Sequence, residues 1–461
     1  MEHVPFSIIN EYLKVKLLHP ARFGRSKFSF LKIFQHGLYF HFTKQRKKII
    51  FNYLRFPLRV QLLIYWLKSK FHAPPKSKAQ LKEYVILFPD RVIMGEDGQW
   101  RSIYFDRIVQ LIGTERVTTI NQVATSLIKS DYTLKELSGA FSPLDKTEYE
   151  LLSELNLTLS SARKSKQFNQ LELKQIRSAM HIFFEEFRLF YSILKNQPTR
   201  KLLFVCHYHN EGMLAAAQAL GIESIEFQHG LIATNDLYYV YHEQFASVIG
   251  KAFFPNKILV YGRYWQRILE NGCEFHSYQI HVAGDYLYRQ SPSKMNAIQK
   301  ENIVLVCAQK NLHDDYISYV EILVNYLKHH KDWRLIIKLH PQEKNKEAYY
   351  ALASKGIEIR DVEIPLDMLL QNCKIQISIY STTFYDALGM NVCNFSLQNY
   401  GSMSDYATSM ISESVAYPLY SNEDPIQKYL SLGNDLSSLT PREEVYGNFN
   451  PELIKRAIEL N

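Results

Sequence analysis

From Lys201 to Leu397 the chain repeats one pattern, a short apolar run rich in β-branched residues followed by a longer helix-like tract. "KLLFVCHY", "EGMLAAAQALG" and "IESIEFQ" form the first strand–helix–strand unit. Its small residues Ala215, Ala216, Ala217 and Ala219 suit close packing on a sheet. "NKILVYG", "RYWQRILENG" and "YQIHVAGD" continue the series, and the polar stretch "YRQSPSKMNAIQKEN" ends it. A second series runs from "NIVLVCAQ" through "WRLIIKLHP", "GIEIRD" and "IQISIYS" to "NVCNFSL". Consecutive alternation of this kind demands parallel crossovers. The expected fold is α/β, with two Rossmann-like doubly wound domains joined near residues 286–301 and facing a cleft.

Upstream the rhythm changes. "EYVILFPDRVIM" reads as a strand interrupted by Pro89, and "GEDG" as a turn into "QWRSIYF", which predicts a β-hairpin. Residues 147–194 hold a long helical tract without glycine or proline. A chain of 461 residues exceeds what one core usually holds. Three parts are expected: a basic, aromatic-rich helical segment over residues 1–80, a first α/β domain over 81–290 with the hairpin and long helices, and a second over 300–461.

In open parallel sheets, ligands bind beyond the carboxyl ends of the strands, so the polar residues there are the candidates. In the first half these are His207, His209 and Glu211, then Gln228, His229 and Gly230, then Gly262, and finally Gly284 and Asp285. In the second half they are Gln309 and Lys310, His340 and Pro341, and Ser381, Thr382 and Thr383. His229 can take a proton near neutral pH, with Gly230 leaving room for a ligand beside the backbone. Glu211 opens a helix and can act as a base or orient an imidazole. His340 can donate to a phosphate oxygen, with Pro341 ending its strand, and Lys310 can neutralise a pyrophosphate. Ser381 and Thr382 open a helix, where hydroxyls and first amides form an anion site or a plain N-cap. His207, His209 and His242 read as surface or packing residues. Glu96-Asp97-Gly98 reads as a hairpin turn more readily than as an acid–base pair.

The net charge of +8 is unevenly spread. Residues 1–80 carry 16 Lys or Arg against Glu2 and Glu11, a balance of +14 that leaves −6 for the remainder. Such a segment suits an anionic partner, nucleic acid or the inner leaflet of a membrane. Its most apolar stretch, "IIFNYLRFPLRVQLLIYWL", is broken by Arg55, Pro57 and Arg59 and falls short of a spanning helix. Lys48, Asn52, Arg55 and Arg59 fall at helical spacing, which fits an interfacial helix or one docked on its own domain. No DNA- or RNA-binding motif occurs. Cys206, Cys273, Cys307, Cys373 and Cys393 are scattered without a CxxC pair, which predicts reduced core thiols rather than disulfides or a metal site.

The blocks "LGIESIEFQHG", "FFPNKILVYGRYW", "IHVAGD", "KLHP" and "YSTTFYDALG" together resemble bacterial GT-B glycosyltransferases of capsule, lipopolysaccharide and teichoic-acid-like polymer synthesis, over roughly residues 200–400. The His-Gly pair at His229 and the His-Pro pair at His340 are similar to those of CDP-glycerol polymerases. His-Pro followed by Ser-Thr is also similar to the nucleotide motifs of bacterial sialyl- and polysialyltransferases. The resemblance implies a GT-B-like fold in which 81–290 receives the acceptor and 300–461 the nucleotide-sugar donor. On that basis His229 is the expected catalytic base, with Glu211 as base or orienting group. His340, Pro341, Ser381, Thr382, Lys310 and Gln309 are expected to hold the donor nucleotide. Gln228, Gly230, Gly262, Gly284 and Asp285 are expected to line the acceptor side. Gln228 stands where teichoic acid polymerases usually carry Trp, which favours a sugar donor over glycerol phosphate.

The implied reaction is metal-independent transfer of a sugar, without a cofactor, from a CMP-, UDP- or GDP-linked donor to a hydroxyl of a cell-surface polysaccharide or lipid-linked glycan. The implied setting is cytoplasmic, at the inner face of the membrane through residues 1–80, with no nucleic acid partner. The alternatives are a CDP-glycerol-type glycerophosphotransferase, a nucleotide-sugar epimerase and, as a different class, a basic nucleic-acid-binding protein.

Overall fold

The computed structural model describes residues 54–459 except 55–56, 72–79, 90, 96, 123–127, 138–143, 165–167, 235, 237, 241–252, 273–274, 288–299, 311, 342, 362, 399, 401–404, 434–435 and 437. Most of the basic segment, including Lys48, Asn52 and Arg55, lies outside the described residues, as do Glu96, His242 and Cys273. The described chain forms two compact α/β units, each built on a doubly wound parallel sheet of the Rossmann-like class.

The strands of the first unit are β1 (Tyr84–Phe88), β2 (Val92–Met94), β3 (Trp100–Ser102), β4 (Val117–Asn121), β5 (Tyr132–Thr133), β6 (Lys201–Phe204), β7 (Glu223–Phe227), β8 (Lys257–Val260) and β9 (Ile280–Val282). Seven of them make a parallel sheet in the order β5-β4-β1-β6-β7-β8-β9, while β2 and β3 pair antiparallel. Parallel strands are covered on both faces, so every side chain of "YVILF" in β1 is buried. The winding starts at β1, passes outward to β4 and β5, then crosses back to β6. The switch point of this sheet therefore lies between β1 and β6.

The hairpin forms as expected from "GEDG". Gly98 takes a left-handed φ of +73°, and Asp97 accepts from the Gln99 amide while pairing with Arg101. Arg101 also pairs with Asp106. These bonds hold the Asp97 carboxyl below its ordinary range, the backbone amide of Gln99 most of all. The aspartate of the motif is thus a turn residue.

The long helical tract divides into two helices, Lys146–Lys164 and Gln170–Leu194. Asn169 starts the second with a capping box: its side chain accepts from the Leu171 and Glu172 amides, and Glu172 reaches back to the Asn169 amide. That Asn-x-x-Glu spacing is a start signal embedded in a run otherwise favourable to helix. The helix Leu58–Phe71 docks on the first of the two through a reciprocal amide pair, Gln61 with Asn156 at 2.8 and 3.1 Å.

The small-residue helix Glu211–Leu220 packs against Gln170–Leu194 as well as covering the sheet. A Cβ on Gly212 would lie 2.4 Å from the Phe183 carbonyl oxygen, so the two backbones touch.

Residues 448–459 return to the first unit, although the sequence placed everything after 300 in the second. The Asn450 amide donates to the Ala283 carbonyl, and Lys201 and Lys257 both pair with Glu459. Gly284 makes this return possible. Its φ is +78°, and a Cβ there would sit 1.9 Å from the Asn448 carbonyl oxygen. Gly284→Ala is expected to lower stability by about 3 kcal/mol or more, from backbone strain and displacement of the returning chain. Denaturant unfolding measures it, and an unchanged midpoint would remove this role.

The second unit holds β10 (Ile303–Cys307), β11 (Arg334–Lys338), β12 (Glu358–Arg360), β13 (Ile375–Ser378), β14 (Cys393–Leu397) and β15 (Tyr417–Leu419), in the order β12-β11-β10-β13-β14-β15. All neighbours are parallel, and the switch point lies between β10 and β13. Val304, Val306, Ile375, Ile377 and Phe395 pack under the helix His313–Leu327 through Tyr316, Tyr319, Val320 and Leu323. The segment Gly230–Asp236 belongs to this unit, with the Thr234 amide donating to Ser409 Oγ at 3.2 Å.

Cys206, Cys307, Cys373 and Cys393 are unbridged, and burial pushes each thiol up to about 12. Among the described residues no helix is long and apolar enough to cross a membrane.

Candidate active site

At the carboxyl edge of the first sheet, three loops place the groups of chemical interest. The loop after β6 turns sharply at Cys206, a non-glycine residue at φ +61°. The Asn210 side chain clamps that turn by donating to the Val205 and Cys206 carbonyls at 3.1 and 2.8 Å. The left-handed turn sends His207 into the interior and leaves Tyr208 half-buried at the edge.

His207 is fully buried, and its surroundings set its protonation. Nε2 lies 2.9 Å from the Tyr238 carbonyl oxygen, which can only accept, so Nε2 carries hydrogen. Nδ1 lies 2.6 Å from Oε2 of Glu226, which is also fully buried. Glu226 accepts a further bond of 2.7 Å from the Tyr239 hydroxyl. Burial raises the Glu226 carboxyl, but the His207 charge and the hydrogen bonds from His207 and Tyr239 outweigh it and hold the group below its ordinary value. The pair is therefore an imidazolium and a carboxylate. Rings of Tyr239, Phe254 and Phe275 surround the imidazolium at 4.8, 5.5 and 6.1 Å, a favourable setting for a desolvated cation. His207 is thus a core residue, as its sequence context suggested, but an ionised one.

That buried pair supports the surface above it. Tyr238, whose carbonyl His207 holds, stacks on Tyr208 at 4.5 Å. The Tyr208 hydroxyl approaches His229 Nε2 at 3.5 Å, long for a hydrogen bond, with the rings edge to face. The His229 backbone is fixed from the other side, where Tyr104 donates its hydroxyl to the His229 carbonyl at 2.8 Å. Burial pushes the Tyr104 hydroxyl up to about 12, so it stays protonated. Arg91, in the loop after β1, donates to the same Tyr104 oxygen at 3.1 Å. His229 itself is half-buried at the rim.

The neighbouring candidates divide. Gln228 is fully buried rather than exposed to a ligand. Its side-chain oxygen accepts from the Tyr261 amide at 3.0 Å, and its carbonyl accepts from the Tyr261 and Tyr286 hydroxyls. It continues the β7–β8 ladder past the strand ends. Around Gly230 a Cβ would meet open space, so no neighbour in the described structure demands glycine there. Gly262 caps the helix Arg263–Glu270 with extended backbone. Gly284 meets the returning chain, not a ligand, and the Asp285 carbonyl accepts from Arg107 at 3.3 Å. Glu211 is buried in the first turn of its helix, where the dipole favours its charge.

In the second sheet, β10, β11 and β13 are neighbours, so Gln309, Lys310, His340, Pro341, Ser381 and Thr382 share one carboxyl edge. Gln309 is engaged internally, since its side chain exchanges bonds with the Tyr380 amide and carbonyl at 2.9 and 2.8 Å and accepts from Tyr316. It bridges the switch point much as a strand residue would. Lys310, Pro341 and Thr382 are exposed, and His340 and Ser381 half-buried. The helix after Ser381 spans only Thr383–Ala387. Its first amides are already used: Thr383 donates to Ser381 Oγ, Phe384 to the Ser381 carbonyl and Tyr385 to the Thr382 carbonyl. The amides at these three positions are therefore not available to an anion, which leaves the hydroxyls of Ser381 and Thr382 beside Lys310 and His340 on this edge.

Sequence reasoning passed over Glu226, Tyr104, Tyr208 and Arg91. A signal existed for Glu226, because a carboxylate inside an apolar parallel strand requires a buried partner. Among the described residues no cluster of His, Cys, Asp or Glu could hold a metal ion.

No family model matches the chain, and no curated protein matches it in sequence. Solved structures similar to it include Staphylococcus aureus MnaA with UDP, at 13% identity and a TM-score of 0.47, covering 83% of this chain and 98% of that one. Methanocaldococcus jannaschii UDP-GlcNAc 2-epimerase with UDP-GlcNAc and UDP shows 12% identity and a TM-score of 0.48, over 82% and 99%. The spinosyn rhamnosyltransferase SpnG with thymidine diphosphate shows 11% and 0.46, over 82% and 100%. At such identities and scores, the chemistry of this chain has to be argued from its own residues.

Proposed function

We propose that the protein is a nucleotide-sugar-dependent glycosyltransferase that extends a cell-surface polysaccharide or lipid-linked glycan. The observation that carries this reading is His229, a half-buried imidazole at the carboxyl edge of a parallel sheet, with its carbonyl held by Tyr104 and its ring beside Tyr208. In the proposed step His229 accepts the proton of an acceptor hydroxyl, and that oxygen forms a bond to the anomeric carbon of the sugar. The anomeric C–O bond breaks, and its electron pair leaves with the nucleotide phosphate. Lys310, His340, Ser381 and Thr382 of the second unit receive the leaving charge. Glu211 is assigned an orienting role in the first unit. The donor is a CMP-, UDP- or GDP-sugar. The basic residues 1–80 hold the enzyme at an anionic membrane surface, where a lipid-linked acceptor resides.

The test is thermal unfolding with CMP, CDP, UDP, GDP and a single-stranded oligonucleotide. One nucleotide at a hundredfold excess over its Kd is expected to stabilise by about 2.7 kcal/mol, and the oligonucleotide not at all. The matching nucleotide-sugar should then release its nucleotide only when a glycan acceptor is present. Absence of any nucleotide effect, or conversion of UDP-GlcNAc to its 2-epimer without acceptor, would overturn the proposal.

A further inference from the structure

We propose that Arg91 is an anion-recognition residue of the first unit, which takes a carboxylate or phosphate carried by the substrate that meets His229. Calling that substrate the glycan acceptor rests on the transferase reading; the anion site itself does not.

Three observations converge on it. The first is position. Arg91 lies in the loop that leaves β1, and β1 and β6 flank the switch point of the first sheet. Ligands of doubly wound sheets bind outside the strand ends at such points. The loop after β6 supplies Tyr208, the ring beside His229.

The second is charge. Arg101, Arg116, Arg188, Arg334 and Arg360 each face a carboxylate at 3 Å or less or in direct contact. Arg91, like Arg107 and Arg442, faces none among the described residues, but those two donate to backbone carbonyls. The Arg91 bond is to the Tyr104 hydroxyl. The residue as a whole is exposed, while at the guanidinium itself Tyr104 favours the charge against a burial that opposes it. A guanidinium has five N–H donors in a planar fork that matches two oxygens of a carboxylate or phosphate.

The third is tethering. Tyr104 is almost fully buried, and its single hydroxyl accepts from Arg91 while donating to the His229 carbonyl. One oxygen atom therefore fixes both the cation and the backbone of the candidate base. A substrate anion held by Arg91 would place its neighbouring hydroxyl groups at a constant distance from His229. Acidic glycans and phosphate-bearing glycans share this chemistry, and neutral glycans lack it.

The experiment measures binding of D-glucuronate, glycerol 3-phosphate and D-glucose to the full chain by NMR titration, for wild type, Arg91→Gln and Arg91→Lys. Wild type should bind at least one anion in the millimolar range and glucose not measurably. Arg91→Gln should weaken that anion ten- to a hundredfold, the range expected for charge-assisted hydrogen bonds. Arg91→Lys should fall between, because it keeps the charge and loses the fork. Preference for glucuronate identifies a carboxylate site, and preference for glycerol 3-phosphate a phosphate site. Binding of neither anion by wild type, or equal binding by wild type and Arg91→Gln, overturns the assignment. Melting temperatures check that the exposed substitution leaves the fold intact. Nucleotide stabilisation is followed in the same variants, so failure of the anion site is distinguished from failure of the transferase reading.

Discussion

His229→Ala is expected to lower sugar transfer by about 100- to 10,000-fold, the usual contribution of a positioned general base, while the protein stays folded. The fold is expected to survive because Tyr104 continues to hold the backbone carbonyl of this residue after the ring is removed. Nucleotide stabilisation should persist, since the residues assigned to the donor belong to the second unit. Steady-state transfer assays and thermal unfolding with and without nucleotide separate the two effects. Full activity in the variant would remove His229 as the base. Loss of both activity and nucleotide binding would show a structural role instead.

Glu226→Ala is expected to destabilise the first unit by about 3–5 kcal/mol, the cost of leaving a buried ion without its partner. His207 would keep its Tyr238 bond but lose the carboxylate 2.6 Å away, inside a shell of aromatic rings. A double variant, His207→Phe with Glu226→Leu, should cost less than the two single losses added together, since no unpaired charge remains.

The pair also sets a pH dependence. The folded-state Glu226 carboxyl lies below its unfolded value of about 4.3. Its contribution is therefore complete above that pH and disappears as the pH falls through the lower folded value. Denaturant titrations from pH 7 to pH 3 should show this loss in wild type and a flatter profile in Glu226→Gln. A Glu226→Gln protein as stable as wild type at neutral pH would contradict the ionised pair.

The parts of the fold that were legible in the sequence are those encoded by local composition. Continuous apolar runs such as "IVLVC" and "RLIIK" mark parallel strands, because both faces of such strands are covered. "YVILF", read as part of a hairpin strand, is instead a member of the first parallel sheet, and only "VIM" beyond Pro89 pairs in the hairpin. The β4 run "VTTIN" was missed, since its two adjacent threonines and final asparagine interrupt the apolar run in a strand that tertiary packing still buries. The break between the two long helices was missed for another reason: Asn169 stops nothing by propensity, and its cap matters only once the preceding chain turns away.

The site was legible to a smaller extent. His229 and His340 could be found because they end strands, and strand ends of parallel sheets share one edge. Glu226 lay inside "IESIEF" and looked like one polar letter in an apolar run. Only the β6–β7 pairing shows that it faces His207, 19 residues away in the chain. The same holds for Gly284, where a ligand-side glycine was expected and the close neighbour is Asn448.

The sequence by itself determined two doubly wound parallel sheets and the loops that carry their polar residues, since hydrophobic periodicity and strand–helix alternation are local properties. Tertiary structure alone decided which of those residues are available for chemistry. Burial and long-range hydrogen bonds took Gln228, Gln309 and Gly284 into the framework, ionised His207 against Glu226, and linked Arg91 to "SIEFQHGLI" through the Tyr104 hydroxyl. Such pairings depend on strand order and on chain segments far apart in sequence, and no local pattern encodes them.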